Sequence, residues 1–329
     1  MKSAKWGIIG PGSIAHDFVK DLDYVSIPQE VVAVLGRTDE SAENFARTYG
    51  IPQWYSNLDS FLDNSGVEAV YISTPHTLHY EQAMACLERK IPVLCEKPMT
   101  INLDQATMLI EAAKANETFL MEGMWIRFVP SIGQVLDLIR RGLIGKIISV
   151  KASMSYRAPY DPQSRYFNPE LGGGSLLDLG IYPVFLAMLL LGKPDAIKAV
   201  GKLSDDDIDE ACSILFHYRE GQYAVLESSL VAQTELIAEI AGDKGTIKIL
   251  SPWNEQPEGI QLHMVGAGKI IYPCKWDGYG FQFEVEEMLK CMNENCIEST
   301  GLSHQFSLDM ISIMDEIRKQ IHVKYDMFE

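Results

Sequence analysis

Gly10-Pro11-Gly12-Ser13-Ile14-Ala15 follows a short apolar run, Trp6 to Ile9, and opens an amphipathic stretch. That order suits a phosphate: the first glycine allows a tight turn, the second lets the backbone approach the anion, and the small sixth residue packs helix on strand. The anion then rests on the N-terminus of the helix. Such a string is elsewhere an ordinary glycine turn, but at a first strand-to-helix turn it reads as a dinucleotide fingerprint formed by Gly10, Gly12, Ser13 and Ile14. The second apolar run closes in Val34-Leu35-Gly36-Arg37-Thr38, where an NAD site usually carries a carboxylate for the ribose hydroxyls. Arg37 and the Thr38 hydroxyl suit a 2′-phosphate instead, so NADP is expected, with NAD less favoured. In the alternative, Arg37 stacks on adenine and Asp39 holds the ribose.

Two further groups carry polar chemistry. Cys95-Glu96-Lys97-Pro98 ends a predicted strand, and strand carboxyl ends are where open α/β sheets bind ligands, so Lys97 points to the nicotinamide half. On its own, a lysine before proline is more often a solvated loop residue. In Gly172 to Pro183, Asp178 and Tyr182 stand four apart, which on a helix sets both on one face. Pro183 removes one helical N–H and predicts a kink there. Tyr182 could equally cap a buried helix with its hydroxyl on Asp178. Trp125 and Arg127, at the junction of the two predicted domains, offer a wall and a hydrogen-bonding edge for a substrate, or hinge packing. His76 and His79 stand three apart without an apparent third ligand, so no metal is expected. The acidic run of Asp205, Asp206, Asp207, Asp209 and Glu210 reads as a solvated loop.

The elements that must position these residues follow from periodicity. Up to about Gly123, apolar runs (Trp6 to Ile9, Val31 to Leu35, Ala69 to Ser73, Val93 to Cys95, Phe119 to Met121) alternate with helical spacing over Ser13 to Val25, Glu40 to Tyr49, Leu58 to Asn64, Thr77 to Arg89 and Leu103 to Ala115. This predicts a Rossmann-type, doubly wound parallel sheet over residues 1–123. Residues 124–329 open with a helix over Trp125 to Arg141. Closely spaced strands follow (Ile147 to Tyr156, Ala196 to Leu203, Ala211 to Tyr218, Tyr223 to Val231, Leu236 to Ala241, Thr246 to Leu250, Ile260 to Val265). Helices are expected over Ser175 to Leu191, Phe281 to Asn293 and Ser303 to Gln320. The fold class is α/β, with a C-terminal α+β domain on an open, mostly antiparallel sheet.

The 329 residues fit two domains, and 28 basic against 45 acidic side chains leave a net charge of -17, which repels nucleic acid and anionic lipid. The longest apolar run, Val184 to Leu191, is far short of the ~20 residues that cross a bilayer, so no membrane partner is expected. The N-terminus lacks the regions of a secretory signal, and the six cysteines are scattered, so a cytoplasmic address with reduced thiols is expected.

These blocks, in this order, resemble the glucose-fructose oxidoreductase, inositol dehydrogenase and rhizopine-catabolism (Gfo/Idh/MocA) family of NAD(P)-dependent dehydrogenases, and within it the dimeric dihydrodiol and NADP xylose dehydrogenase branch. The resemblance runs through Gly10 to Ala15, Thr74-Pro75-His76-Thr77-Leu78-His79, Glu96-Lys97-Pro98, Met121 to Phe128, Arg165 to Pro183 and Phe283 to Glu287. It implies cofactor contacts at Thr74, Pro75, His79, Glu96 and Lys97. His76 departs from the family's commoner asparagine. It also implies that Lys97 and Tyr182 serve the substrate oxygen, where inositol dehydrogenases usually have histidine at the second position. Hydride transfer to or from a CH–OH group of a sugar or cyclic trans-diol would follow, with Tyr182 moving the proton, Lys97 holding the oxygen and Asp178 orienting substrate or lysine. A homodimer through the second sheet is expected, since an open sheet with helices on one face leaves an apolar surface and the similar enzymes are dimeric. The competing functions are a non-catalytic NADP-binding sensor, an inositol or glucose-fructose type oxidoreductase, and a glycosidase using NAD transiently. A sensor has no need of a proton-handling pair.

Overall fold

The computed structural model describes residues 3–325 and 328. Backbone packing divides the chain into two units, Met1–Phe128 with Asp277–Leu308, and Val129–Trp276 with Asp309–Glu329.

The first unit carries six parallel strands, β1 (Lys5–Ile9), β2 (Glu30–Leu35), β3 (Gln53–Tyr55), β4 (Ala69–Ile72), β5 (Val93–Glu96) and β6 (Leu120–Gly123), ordered β3-β2-β1-β4-β5-β6. The inner strands β1, β4 and β5 are near-continuous apolar runs because both faces are covered. Helices α1 (Ser13–Asp21), α2 (Asp39–Tyr49), α3 (Leu58–Asn64), α4 (His76–Glu88) and α5 (Leu103–Ala115) connect them. The order reverses between β1 and β4, which opens a crevice at the strand carboxyl ends. Trp6, Phe18, Phe61 and Tyr71 fill the core, with Phe18 stacked on Tyr71 at 3.7 Å between ring centres. The expected first helix stops at Asp21 and tightens into a 3₁₀ turn, Leu22–Tyr24.

A late segment completes this unit. Helix α8 (Phe281–Asn293) packs on α1, where Phe18 and Phe281 meet edge to face. The buried Asp21 carboxylate accepts the N–H groups of Tyr279, Gly280 and Phe281 at 2.7–2.9 Å, so the end of one helix caps the start of the other.

The second unit holds eight strands, β7 (Ile147–Ser155), β8 (Ala196–Leu203), β9 (Asp209–His217), β10 (Tyr223–Ser229), β11 (Ala238–Gly242), β12 (Gly245–Ile249), β13 (Ile260–Met264) and β14 (Lys269–Tyr272), ordered β14-β13-β12-β11-β7-β10-β9-β8. All neighbouring pairs are antiparallel except β7 with β10, which run parallel in the middle of the sheet. Helix α7 (Ile181–Leu191) is buried against one face, on β7 and β10, whose Val150, Ala224 and Leu226 are buried. The other face carries a cross-strand row, Lys198, Leu215, Val225, Lys151, Glu239 and Lys248, whose centre is apolar and whose flank is paired by charge.

Two expectations need correction, and one apolar stretch has the length and composition of a membrane span. The helix expected over Trp125 to Arg141 is a 3₁₀ turn, Trp125–Arg127, followed by an extended Val129 and helix α6 (Pro130–Arg140), because Pro130 starts a helix but cannot continue one. The stretch Pro169–Leu191, 23 residues with a mean hydropathy of 1.9 over its most apolar window, is long and apolar enough to cross a membrane, although its longest unbroken apolar run is not. Its apolarity serves the core instead, since 83% of that window is buried inside the protein. Asp209, expected in a solvated loop, is wholly buried.

Candidate active site

The turn expected to cradle a phosphate follows β1. Gly10 has φ +93°, and a Cβ there would stand 2.7 Å from Thr74 Cγ2 and 2.8 Å from Thr74 N, so only glycine lets the β1 and β4 loops meet this closely. Gly12 is the extended N-cap of α1, and the nearest atom to a Cβ there is Ser73 O at 4.0 Å. Ser13 and Ile14 in the first helical turn are exposed. An open helix N-terminus at the switch point of a parallel sheet fits a dinucleotide pyrophosphate. At the end of β2, Thr38 caps α2 by accepting from Ser41 N at 3.2 Å, which fixes the turn that carries the exposed Arg37.

The β4 and β5 loops of the same sheet are tied together. Thr74 donates through Oγ1 to Gln82 at 2.6 Å, and Pro75 N-caps α4. His79 is fully buried, with Nδ1 2.9 Å from Pro98 O and Nε2 2.8 Å from Thr74 O. Burial drives its pKa down to about 4, against its two carbonyl partners and reinforced by the Lys97 charge. The ring sits between the Thr74 and Lys97-Pro98 loops, and in its neutral form it donates its one N–H to one of these two carbonyls. Glu96, also buried, accepts from the Tyr71 hydroxyl at 2.6 Å and from the Lys97 backbone N–H at 3.2 Å. Beneath lies Glu122, which accepts from Met99 N at 3.0 Å and Ser307 Oγ at 2.7 Å. Burial raises the Glu122 pKa and the Lys97 charge opposes that rise. Lys97 thus follows directly on β5, with the Glu96 carboxylate on its backbone N–H. Trp125 stacks on Phe281 at 5.4 Å, and Arg127 donates through Nε to Gly301 O at 2.6 Å. Burial lowers the Arg127 pKa, with Glu287 opposing.

In the second unit, Asp178 lies in a π turn, Leu176–Gly180, and Tyr182 in the first turn of α7, both nearly buried. The kink expected from Pro183 takes the form of that wider turn, in which Ile181 N–H reaches back to Leu176 O and relieves the clash proline brings to a regular helix. Two residues that sequence reasoning passed over hold this element. Asp209 accepts from Leu176 N at 2.6 Å and Ser175 Oγ at 2.8 Å, while Ser175 Oγ also meets Ser228 Oγ at 2.9 Å. Its carboxylate thus anchors the start of the segment. Burial pushes its pKa up to about 7, against those hydrogen bonds. Arg165 pairs with Asp178 at 2.9 Å. Burial disfavours its charge, but Asp178 and Tyr166 outweigh that and raise its pKa. The cation needed by a buried Asp178 was thus present in the sequence, thirteen residues upstream.

Residues 4–124 match the family described as "Oxidoreductase family, NAD-binding Rossmann fold", and residues 132–248 match the "GFO/IDH/MocA C-terminal domain". The chain is similar to trans-1,2-dihydrobenzene-1,2-diol dehydrogenase of Xenopus tropicalis, 32% identical over 98% of this chain and 99% of the relative. It is similar also to the Homo sapiens enzyme of that name, 29% identical over 98% of each. Among solved structures, KijD10, a 3-ketoreductase from Actinomadura kijaniata in complex with NADP and TDP-benzene, matches at TM-score 0.86 and 25% identity over 97% of this chain and 98% of that one. Levoglucosan dehydrogenase in complex with NADH and levoglucosan matches at TM-score 0.87 and 20% identity over 98% of each, a likeness of fold.

Proposed function

The chain belongs to the GFO/IDH/MocA oxidoreductase family, and on that premise we propose that it is an NADP-dependent dehydrogenase acting on a CH–OH group of a cyclic trans-diol or a sugar. The observation that carries this reading is the shared sheet edge: the Gly10 cradle and Lys97 both stand at carboxyl ends of strands of one parallel sheet. Gly10, Gly12, Ser13 and Ile14 would hold the pyrophosphate, with Thr74, Pro75 and Glu96 shaping the adjoining loops. Arg37 and Thr38 would read the 2′-phosphate. Bound there, the nicotinamide supplies hydride transfer.

The proton is the protein's task. Tyr182 Oη takes it from the substrate hydroxyl during oxidation and returns it during reduction. A free phenol has a pKa of ~10, and a cation at the reacting oxygen favours the charged form of an acid beside it; Lys97 Nζ has that sign and holds the oxygen. Glu96, Glu122 and His79 fix the lysine's loop rather than touching substrate. Trp125 would wall the substrate's carbon face, whereas Arg127, engaged with Gly301, keeps the Trp125 turn in place. The similarity to dihydrodiol dehydrogenases favours cyclic diols within this class. A cytoplasmic site of action suits the dehydrogenase reading, and the row centred on Leu215 and Val225 suits a homodimer through the open face of the second sheet.

The test is NADP reduction by the purified protein against aldoses, inositols and cyclic trans-diols. Oxidation of at least one class, with NADP preferred to NAD, is expected. Tight NADPH binding without turnover of any substrate would refute the reading and leave the sensor in its place.

A further inference from the structure

Asp178 has only 6% of its side chain exposed, while Arg165, half exposed, grips it with both terminal nitrogens, Nη1 at 2.9 Å from Oδ1 and Nη2 at 3.4 Å from Oδ2. The same guanidinium lies 4.5 Å from the centre of the Tyr166 ring and donates through Nη2 to the Tyr166 hydroxyl at 3.3 Å. Tyr166 in turn meets Tyr156, 43% exposed, at 5.6 Å between ring centres. One line of contact therefore runs, within the second unit, from the turn that precedes Tyr182 through the half-buried Tyr166 to the exposed Tyr156.

A buried carboxylate needs a cation, but any cation would serve that need. A planar fork does more, because it holds both oxygens in one plane and makes the carboxylate an acceptor of fixed direction. Three of the five N–H donors of Arg165 are engaged in these bonds; Nε–H and one Nη1–H make no hydrogen bond among the described residues. An arginine kept only to neutralise Asp178 has no use for these unengaged donors or for the Tyr166 ring it lies against.

From this geometry we infer that Arg165 is a positioning and specificity residue for vicinal diols. It fixes the Asp178 carboxylate as acceptor for the hydroxyl next to the reacting carbinol, presents its own N–H edge to that hydroxyl, and sets Tyr166 and Tyr156 along the substrate's carbon face. This deepens the dehydrogenase reading above and rests on it.

The experiment compares trans-cyclohexanediol with cyclohexanol at saturating NADP, in the parent and in Arg165→Met and Arg165→Lys. Arg165→Met should lose roughly ten- to a hundredfold in kcat/KM on the diol, mostly through KM, as expected for one charge-assisted contact. On cyclohexanol the change should stay below about threefold, so the diol preference collapses. Arg165→Lys should recover part of it, since an ammonium cannot hold both oxygens. NADPH affinity by fluorescence titration should be unchanged in both. Should Arg165→Met fail to fold, Arg165→Met with Asp178→Asn removes the unpaired charge, and its diol preference should collapse as well. Equal losses on both alcohols would reduce Arg165 to a structural ion pair, and an unchanged preference would overturn the inference while the parent's activity still upholds the dehydrogenase reading. A parent that binds NADPH but oxidises no diol or sugar would sink both together.

Discussion

Asp209→Asn should remove a pH dependence of stability that the parent carries. The carboxyl is wholly buried, and its pKa rises from an ordinary 3.8 to about 7 in the folded protein. A folded state that holds a proton more tightly than the unfolded chain loses stability as pH rises between those two values and levels off above the higher one. At ~1.4 kcal/mol per unit, the interval from about pH 5 to about pH 8 spans roughly 3 kcal/mol for this one group. Asparagine keeps an oxygen for Leu176 N–H and the Ser175 hydroxyl but has nothing to titrate. At roughly 2 °C per kcal/mol for a chain of this size, the variant should gain about 6 °C on the parent over that interval. Calorimetric melts of the two proteins across the range give the difference directly. Glu122 and Glu284, buried with raised pKa values, titrate in both proteins and cancel from it. A melting difference that is flat with pH would mean that Asp209 does not change charge there, and the reading of it as a buried carboxyl that takes up a proton on folding would fail.

Tyr182→Phe and Lys97→Met should each lower kcat by ~10² to 10⁴ while NADPH binding, read by fluorescence, stays near the parent's. Their double variant should be little worse than either single one if the two act on one oxygen. Arg37→Asp should weaken NADPH binding by roughly ten- to a hundredfold and erase the preference over NADH; equal binding by the parent would show that Arg37 does not read the phosphate. Gly10→Ala, which sets a methyl 2.7 Å from Thr74 Cγ2 at φ +93°, should cost both melting temperature and NADPH affinity. Light scattering at micromolar concentration should give the mass of a dimer, and Val225→Lys should shift it toward monomer.

Much of the architecture is legible in the sequence because the alternation of apolar runs and helical spacing is strong. Leu58–Asn64, Leu103–Ala115 and Phe281–Asn293 begin and end where their patterns do. The strands Gln53–Tyr55 and Lys269–Tyr272 are too short or too exposed to carry a pattern, and they sit at sheet edges where pairing rather than burial defines them. The glycine turn after β1, the Lys97 strand end and the Asp178 and Tyr182 spacing are local features, readable as strings. Asp209 and Arg165 are not. Hydropathy assigns an aspartate among four other acidic residues to solvent, and the Arg165 bond to Asp178 closes across a loop that no helical or strand periodicity bridges. Nor does periodicity show that Pro183 is accommodated by a π turn, which depends on where the chain can open a hydrogen bond ahead of it.

The first unit is assembled from two stretches of chain, with residues 129–276 lying between them in sequence. A ribosome releases the chain from its N-terminus, so the parallel sheet and α1 emerge long before α8 and the residues up to Leu308 that finish the unit. At about 5–20 residues per second the interval lasts on the order of ten to thirty seconds. Throughout it, Phe18 lacks Phe281 and the Asp21 carboxylate lacks the three N–H groups it caps. The nascent cofactor fold must wait with one flank open, and cellular yield will depend on what shields that flank during synthesis as much as on the stability of the finished protein.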